Sequence, residues 1–310
     1  MFEKIIVVTR KTRLEELVAR FNTRDQARFY IEHAGADFSA YQAEHDAYRR
    51  AVERLLAKIS ALARVQVIER AFLPNFIFTD QDLIVTIGQD GLVVNTAKYL
   101  DGQPVVAINP DPARIDGVLL PFSVPAAPQV IVKVMQGRAA VRRITMAEAR
   151  LNDGQRMLAF NDLFIGVKSH TSARYRLTFG EQSEPQSSSG IIVSTGAGST
   201  GWLSSMFNMA SSVAHLLDEK AHVPEPLRLG WEEERLVFIV REPFVSKTSR
   251  AGIAAGIITP QRELWLESHT PENGVIFSDG VEADYAAFNS GAIVRVGIAQ
   301  KKTNLVVPAA

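Results

Sequence analysis

The sequence contains no cysteine. That absence excludes disulfide frameworks, thiolate nucleophiles and Cys-ligated zinc or iron–sulfur centres, and it permits a reducing compartment. Net charge is missing too. Lys and Arg number 34 and Asp and Glu number 34, so no overall field draws the chain to nucleic acid or an anionic membrane. Long apolar runs are also lacking. The N-terminal Met-Phe-Glu-Lys-Ile-Ile-Val-Val-Thr-Arg carries an acid at Glu3 ahead of the short run Ile5–Val8, so it reads as a first strand rather than a signal peptide or anchor. The expectation is a cytoplasmic protein with neither nucleic-acid nor membrane partners. What is present is apolar material, 46% of 310 residues, enough for about two domains at roughly 100 to 200 residues each.

The first part alternates strand and helix. After Ile5–Val8 come two helical stretches, the second opening at Asn22 and Thr23 as candidate caps. Tyr41, Tyr48, Val52, Leu55, Leu56, Ile59 and Leu62 then recur at helical spacing between residues 40 and 63. Val65–Ile68, Leu83–Ile87 and Val105–Ile108 are short β-branched runs, the last two joined by a Gly-containing loop and a helix. This is a βαβ pattern and implies a parallel sheet with helices outside. Beyond Pro121, Pro125 and Pro128 the character changes to many short β runs, including 157–167, 191–194 and 236–240, interrupted by one long helix over about Gly201–Lys220. The expected layout is an α/β domain over residues 1–134 with a Rossmann-like parallel sheet, and a β-rich domain over 135–310.

Three loops could carry chemistry. In Leu83-Ile-Val-Thr-Ile-Gly-Gln-Asp-Gly-Leu92, Gly88, Asp90 and Gly91 sit where a strand ends and a helix begins. Glycines there let backbone amides approach an anion, and the helix N-terminus favours negative charge. An Asp in that place repels phosphate unless it holds Mg²⁺ or accepts a proton from an attacking hydroxyl. An ordinary Asp-Gly turn with a capping Asp accounts for the same residues. In Phe160-Asn161-Asp162, an amide and a carboxylate open an apolar strand, where they could meet neighbouring ribose hydroxyls or form a turn.

The third loop lies within Pro185–Leu217, a stretch with no Asp, Glu, Lys or Arg. It is too rich in Ser, Gly and Thr to cross a bilayer, and it suggests a buried site that hydrogen-bonds without charge. Gly196-x-Gly198-x-x-Gly201 matches the dinucleotide fingerprint. The next strand run begins only at Leu236, too distant for a unit of about 30 residues, and Asp218 and Glu219 fall in the helix rather than after a second strand. Ala197-Gly-Ser199-Thr-Gly201 approaches a hydrolase nucleophile elbow, with His215, His222 and His269 downstream, yet it sits in the β-rich half rather than a parallel sheet.

In this order the loops resemble the NAD kinase family, whose pattern is Gly-Gly-Asp-Gly, then Asn-Glu, then a strand running into Thr-x-x-Gly-Ser-Thr-Ala, then a late Asp-Gly. Here these are Gly88-Gln89-Asp90-Gly91, Asn161-Asp162, Thr195-Gly-Ala-Gly198-Ser199-Thr200-Gly201-Trp202 and Asp279-Gly280. Asn109-Pro-Asp111-Pro, Ser188-Ser-Gly190 and Arg241-Glu-Pro243 look like the mitochondrial-type branch. The resemblance spans nearly the whole chain and implies an NAD kinase/diacylglycerol kinase-like fold. It further implies phosphorylation of the adenosine-ribose 2′-hydroxyl of NAD to give NADP, with ATP as donor, Mg²⁺ as cofactor and a homo-oligomeric assembly. Carried across, Asp90 is the base or orienting group for the ribose 2′-hydroxyl. Gly88, Gln89 and Gly91 form the donor-phosphate loop. Asn161, Asp162, Thr195, Gly198, Ser199, Thr200 and Trp202 line the NAD site, with Asn109 and Asp279 as further site positions. Four departures stand out: Gln89 for Gly, Leu92 for Thr, Asp162 for Glu, and Gly201-Trp202 for Ala-Tyr. Gln89 leaves open a dinucleotide-binding protein with weakened transfer, and the superfamily leaves open a lipid or other hydroxyl as acceptor.

Overall fold

The computed structural model describes residues 2–218 and 227–309. The chain divides into two compact units, Met1–Arg142 with Thr303–Ala310, and Arg143–Lys302. The break therefore falls after Arg142, and the last residues return to the first unit.

In the first unit, β1 (Lys4–Thr9) leads into α1 (Arg13–Phe21), α2 (Arg24–His33) and the long α3 (Phe38–Ile59), followed by β2 (Arg64–Glu69). Thr12 and Glu15 form a reciprocal cap that starts α1, and Thr23 caps α2. Then come β3 (Asp82–Ile87), α4 (Asp90–Ala97), β4 (Pro104–Asn109), the two-residue β5 (Phe122–Ser123) and α5 (Ala127–Met135). The strands lie parallel in the order β2-β1-β3-β4. Because β1 and β3 are covered on both faces, Ile5–Val8 is an apolar run and Leu83–Ile87 is one interrupted only by buried Thr86. Tyr48, Val52, Leu55 and Ile59, spaced one helical turn apart, bury one face of α3 in the core beside them. Helix α5 was not expected. Pro128 sits in its first turn, where a missing N–H costs nothing, and Ala127, Ile131 and Val134 join the first unit's core.

The second unit is built on antiparallel pairs. Its strands are β6 (Ala140–Leu151), β7 (Arg156–Ala159), β8 (Asp162–Val167), β9 (Ala173–Phe179), β10 (Gln182–Ser188) and β11 (Ile191–Ser194), then α6 (Trp202–Leu217). They continue as β12 (Leu236–Val240), β13 (Ala255–Ile258), β14 (Leu264–Ser268), β15 (Gly274–Ser278), β16 (Tyr285–Ala287) and β17 (Ile293–Val307). One sheet runs β13-β12-β11-β8-β15-β16. In the other, β10, β9, β14 and the start of β17 pair in turn. Leu163, Ile165 and Val193 of the first sheet share a core with Tyr175, Leu177 and Leu266 of the second, a sandwich packing. The end of β17 leaves this unit and pairs parallel with β4 through Asn304 and Leu305. The expected run 157–167 is two strands, broken at Phe160–Asn161, and Lys220, the expected end of α6, lies outside the described residues. Among the described residues no helix is long and apolar enough to cross a membrane.

Candidate active site

The site residues named from sequence fall into two sets, one in each unit. In the first unit, β3 ends at Ile87 and the chain turns through buried Gly88 into α4. A Cβ on Gly88 would sit 2.8 Å from Leu92 Cδ2, so the bare backbone is what lets Leu92 fold down over the turn. Gln89 occupies the cap position, is exposed and makes no cap bond to the helix. Gly91 faces open space. Asp90 is the first helical residue, and its Oδ1 accepts the Leu119 amide at 2.8 Å. An uncapped helix start with an open glycine leaves backbone donors for an anion.

Asn109, at the end of β4, is committed elsewhere. Its amide donates to Ile115 O at 2.8 Å and its Oδ1 accepts from the Asp111 amide at 3.0 Å, so both ends of the side chain close its own loop. That loop turns through Gly117, at φ +66, and delivers the Leu119 amide to Asp90. Asn109 thus shapes the loop that orients Asp90.

In the second unit, Asp279 gathers the other set. It follows β15 in a left-handed conformation, φ 54, and its carboxylate accepts three successive amides. Oδ2 takes Phe160 N at 3.1 Å, and Oδ1 takes Asn161 N at 2.7 Å and Asp162 N at 3.1 Å. Thr195 completes the knot. Its hydroxyl donates to Phe160 O at 2.6 Å and accepts from Gly198 N at 3.2 Å, and its amide donates to Asn161 O at 2.9 Å. The glycines of the apparent fingerprint are used for backbone crowding: a Cβ on Gly196 would overlap Gly230 O, and one on Gly198 would overlap Asn161 O. Buried Ser199 donates to Gly196 O at 2.7 Å. Among the described residues no histidine bonds Ser199. His222 and Glu219 lie outside them. Thr200 closes the short turn before α6 and is exposed.

Burial raises the Asp162 carboxyl to about 7, with the Asp279 carboxylate adding to the rise and the Ser194 hydroxyl opposing it. Its Oδ1 is buried and unpartnered. Two residues along the same face of β8, Phe164 lies over Gly166 and Gly190, where any Cβ would meet its ring at 2.8 Å or closer. Phe164 stacks with Trp202 at 5.8 Å and 13°, and tilts against Phe277 at 4.8 Å. These rings line a pocket of about 640 Å³, together with Lys168, Arg241 and Glu282. Arg241 lies over the Trp202 ring at 5.4 Å. An aromatic wall with cations at its rim suits a flat base carrying phosphates. Sequence reading missed Phe164, Phe277, Lys168 and Arg241 as site residues; the i, i+2 spacing of Phe164 from Asp162 was the available signal.

No protein-family model matches the chain. Two curated relatives, the mitochondrial NAD kinase 2 of rat and of human, are each 22% identical to it. Both alignments cover 95% of this chain, and they cover 85% and 81% of the relatives respectively. The crystal structure of yeast NADH kinase complexed with NADH superposes with a TM-score of 0.57 at 15% identity, covering 100% of this chain and 84% of that one. An NAD kinase from Archaeoglobus fulgidus in complex with ATP gives 0.57 at 18% identity, over 98% and 93%. The chain has the fold of these kinases and is similar to the two NAD kinase relatives over nearly its whole length. Departures from the NAD kinase pattern have local causes here. Leu92 packs onto Gly88, and Trp202 keeps an aromatic face against Phe164.

Proposed function

We propose that this protein is a kinase that transfers the terminal phosphoryl group of ATP to the 2′-hydroxyl of the adenosine ribose of NAD, giving NADP and ADP. The observation that carries the reading is the Asp90 carboxylate. It stands at the carboxyl end of β3 beside an uncapped helix start, pinned through Oδ1 by the Leu119 amide. Phosphoryl transfer asks for positioning and charge neutralisation more than covalent chemistry. The ribose oxygen attacks the terminal phosphorus, Asp90 takes the hydroxyl proton, and ADP leaves.

Gly88, Gln89 and Gly91 present the donor loop, where open space at Gly91 supports close approach of phosphates. In the second unit Asn161 and Asp162 are assigned to ribose hydroxyls and the Trp202 pocket to a base of the dinucleotide. Thr195, Gly198 and Asp279 hold that segment in shape. Among the described residues no group of three or more His, Asp or Glu could cage a metal ion. Mg²⁺ keeps several waters and is bound through one or two carboxylates plus substrate phosphates. The donor phosphates and water would hold the ion, which would neutralise charge on the transferring phosphoryl group and leave the Asp90 carboxylate as the base.

A second reading is a dinucleotide-binding protein with little transfer. Gln89 favours it, because its exposed, non-capping side chain stands where the pattern expects a bare backbone. Purified protein with Mg²⁺, either NAD or NADH, and ATP, assayed for NADP or NADPH, separates the two. Phosphorylated product supports the kinase. Binding of NAD or NADH without product supports the second reading.

A further inference from the structure

The parallel sheet of the first unit changes direction at β1. The chain passes from β1 to β2 on one side, then crosses to β3 on the other. In open α/β sheets ligands settle at such a switch point, outside the carboxyl ends of the two diverging strands. Here those ends are Arg10, following β1, and Gly88, following β3. They are tied together by one side chain: the Tyr48 hydroxyl accepts the Arg10 amide at 2.9 Å and donates to Ile87 O at 3.0 Å. Arg10 Cδ is 3.7 Å from where a Cβ on Gly88 would stand, so its side chain runs directly beside the glycine loop.

The guanidinium is shielded and held in place. Its side chain is 13% exposed, Nη2 pairs with Glu44 Oε1 at 3.1 Å, Nη1 donates to Lys11 O at 2.9 Å, and it lies over the Tyr48 ring at 5.1 Å. Nε is buried with no partner. Glu44 also pairs with Arg13, so one carboxylate faces two cations and the cluster keeps a surplus positive charge. A guanidinium held beside a loop with open backbone donors adds positive charge where phosphates would approach.

The geometry points to Arg10 as a donor-binding residue, which contacts the polyphosphate of the nucleotide seated on the Gly88–Gly91 loop. This rests on the kinase reading for the identity of the donor, but the anion site itself does not depend on turnover.

The test combines steady-state kinetics with binding of inorganic tripolyphosphate to the full chain, for the parent, Arg10→Gln, Arg10→Lys and Glu44→Gln, with thermal unfolding of each. Arg10→Gln should raise the KM for ATP about ten- to hundred-fold, leave the KM for NAD within about two-fold, and weaken tripolyphosphate by a similar factor. Arg10→Lys should recover part of the loss. Glu44→Gln should tighten tripolyphosphate, a gain that a merely structural ion pair would not produce. An unchanged ATP KM in Arg10→Gln, or equal rises for ATP and NAD, overturns the assignment while leaving the kinase reading intact. A parent that makes no NADP yet binds tripolyphosphate through Arg10 keeps the anion site and removes the kinase reading. A parent that does neither removes both.

Discussion

Asp279 Oδ1 holds the backbone amides of both Asn161 and Asp162, at 2.7 and 3.1 Å, although it lies more than a hundred residues further along the chain (118 from Asn161). The start of β8 is therefore shaped by a carboxylate from the turn after β15. Asp279→Ala removes the acceptor of three amides and should lower stability by about 3 kcal/mol or more, since each polar group left unsatisfied in the interior costs about 1–3. Asp279→Asn tolerates the left-handed backbone and should lose less. Urea unfolding midpoints of the two variants provide the check, with NAD affinity expected to fall in the same order.

The Asp162 carboxyl gives a pH dependence with a defined sign. Its folded pKa, about 7, lies above the ordinary 3.8 because burial disfavours the charged form. The folded protein thus holds a proton that the unfolded chain has released, and Asp162 makes stability fall as pH rises from about 4 to about 7. Asp162→Asn removes that slope. Relative to the parent, the variant should gain stability across this window, by on the order of a few kcal/mol at its upper end. Parallel unfolding curves with a pH-independent difference between parent and variant would remove the assignment.

Two glycines make opposite predictions. A Cβ at Gly198 overlaps the Asn161 carbonyl, so Gly198→Ala should cost about 1–3 kcal/mol or more and disturb NAD binding. Gly91 has nothing within 4 Å, so Gly91→Ala should leave stability unchanged or raise it by up to about 1 kcal/mol through helix propensity. If phosphates approach that backbone, the same substitution raises the KM for ATP. Thermal midpoints and donor kinetics measured together resolve both halves.

Much of this was legible in the sequence, and the exceptions have physical reasons. The parallel strands announced themselves because burial on both faces demands nearly continuous apolar runs, as in Leu83–Ile87 with its single Thr86. Helix α3 showed through the spacing of Tyr48, Val52, Leu55 and Ile59. By contrast, β10 is Gln-Ser-Glu-Pro-Gln-Ser-Ser, a strand of low β propensity held by pairing to β9. Helix α5 hid behind Pro128, which usually signals an end rather than a first turn. At the site, glycine, Asp and Asn residues marked the loops, but the partners that orient them did not. The Leu119 amide, the closed loop of Asn109 and the three amides of Asp279 are relationships of tertiary structure that no local spacing encodes.

The pocket formed by Phe164, Phe277 and Trp202 should contribute affinity by stacking. Trp202→Ala is expected to weaken NAD by about 1–3 kcal/mol, roughly 5- to 150-fold, while Trp202→Tyr changes it little. ATP affinity should hardly move. Titration of each variant with NAD, followed by calorimetry, reads this directly.

The most direct test of the account is the rate of NADP formation from ATP and NAD by the parent and by Asp90→Asn, with NAD binding and unfolding midpoint measured on the same preparations. The parent should turn over, and the Asn variant should keep its fold and its NAD affinity while losing about 10²- to 10⁴-fold in kcat, the usual contribution of a general base. An Asn variant that forms NADP within a few-fold of the parent rate would contradict the account.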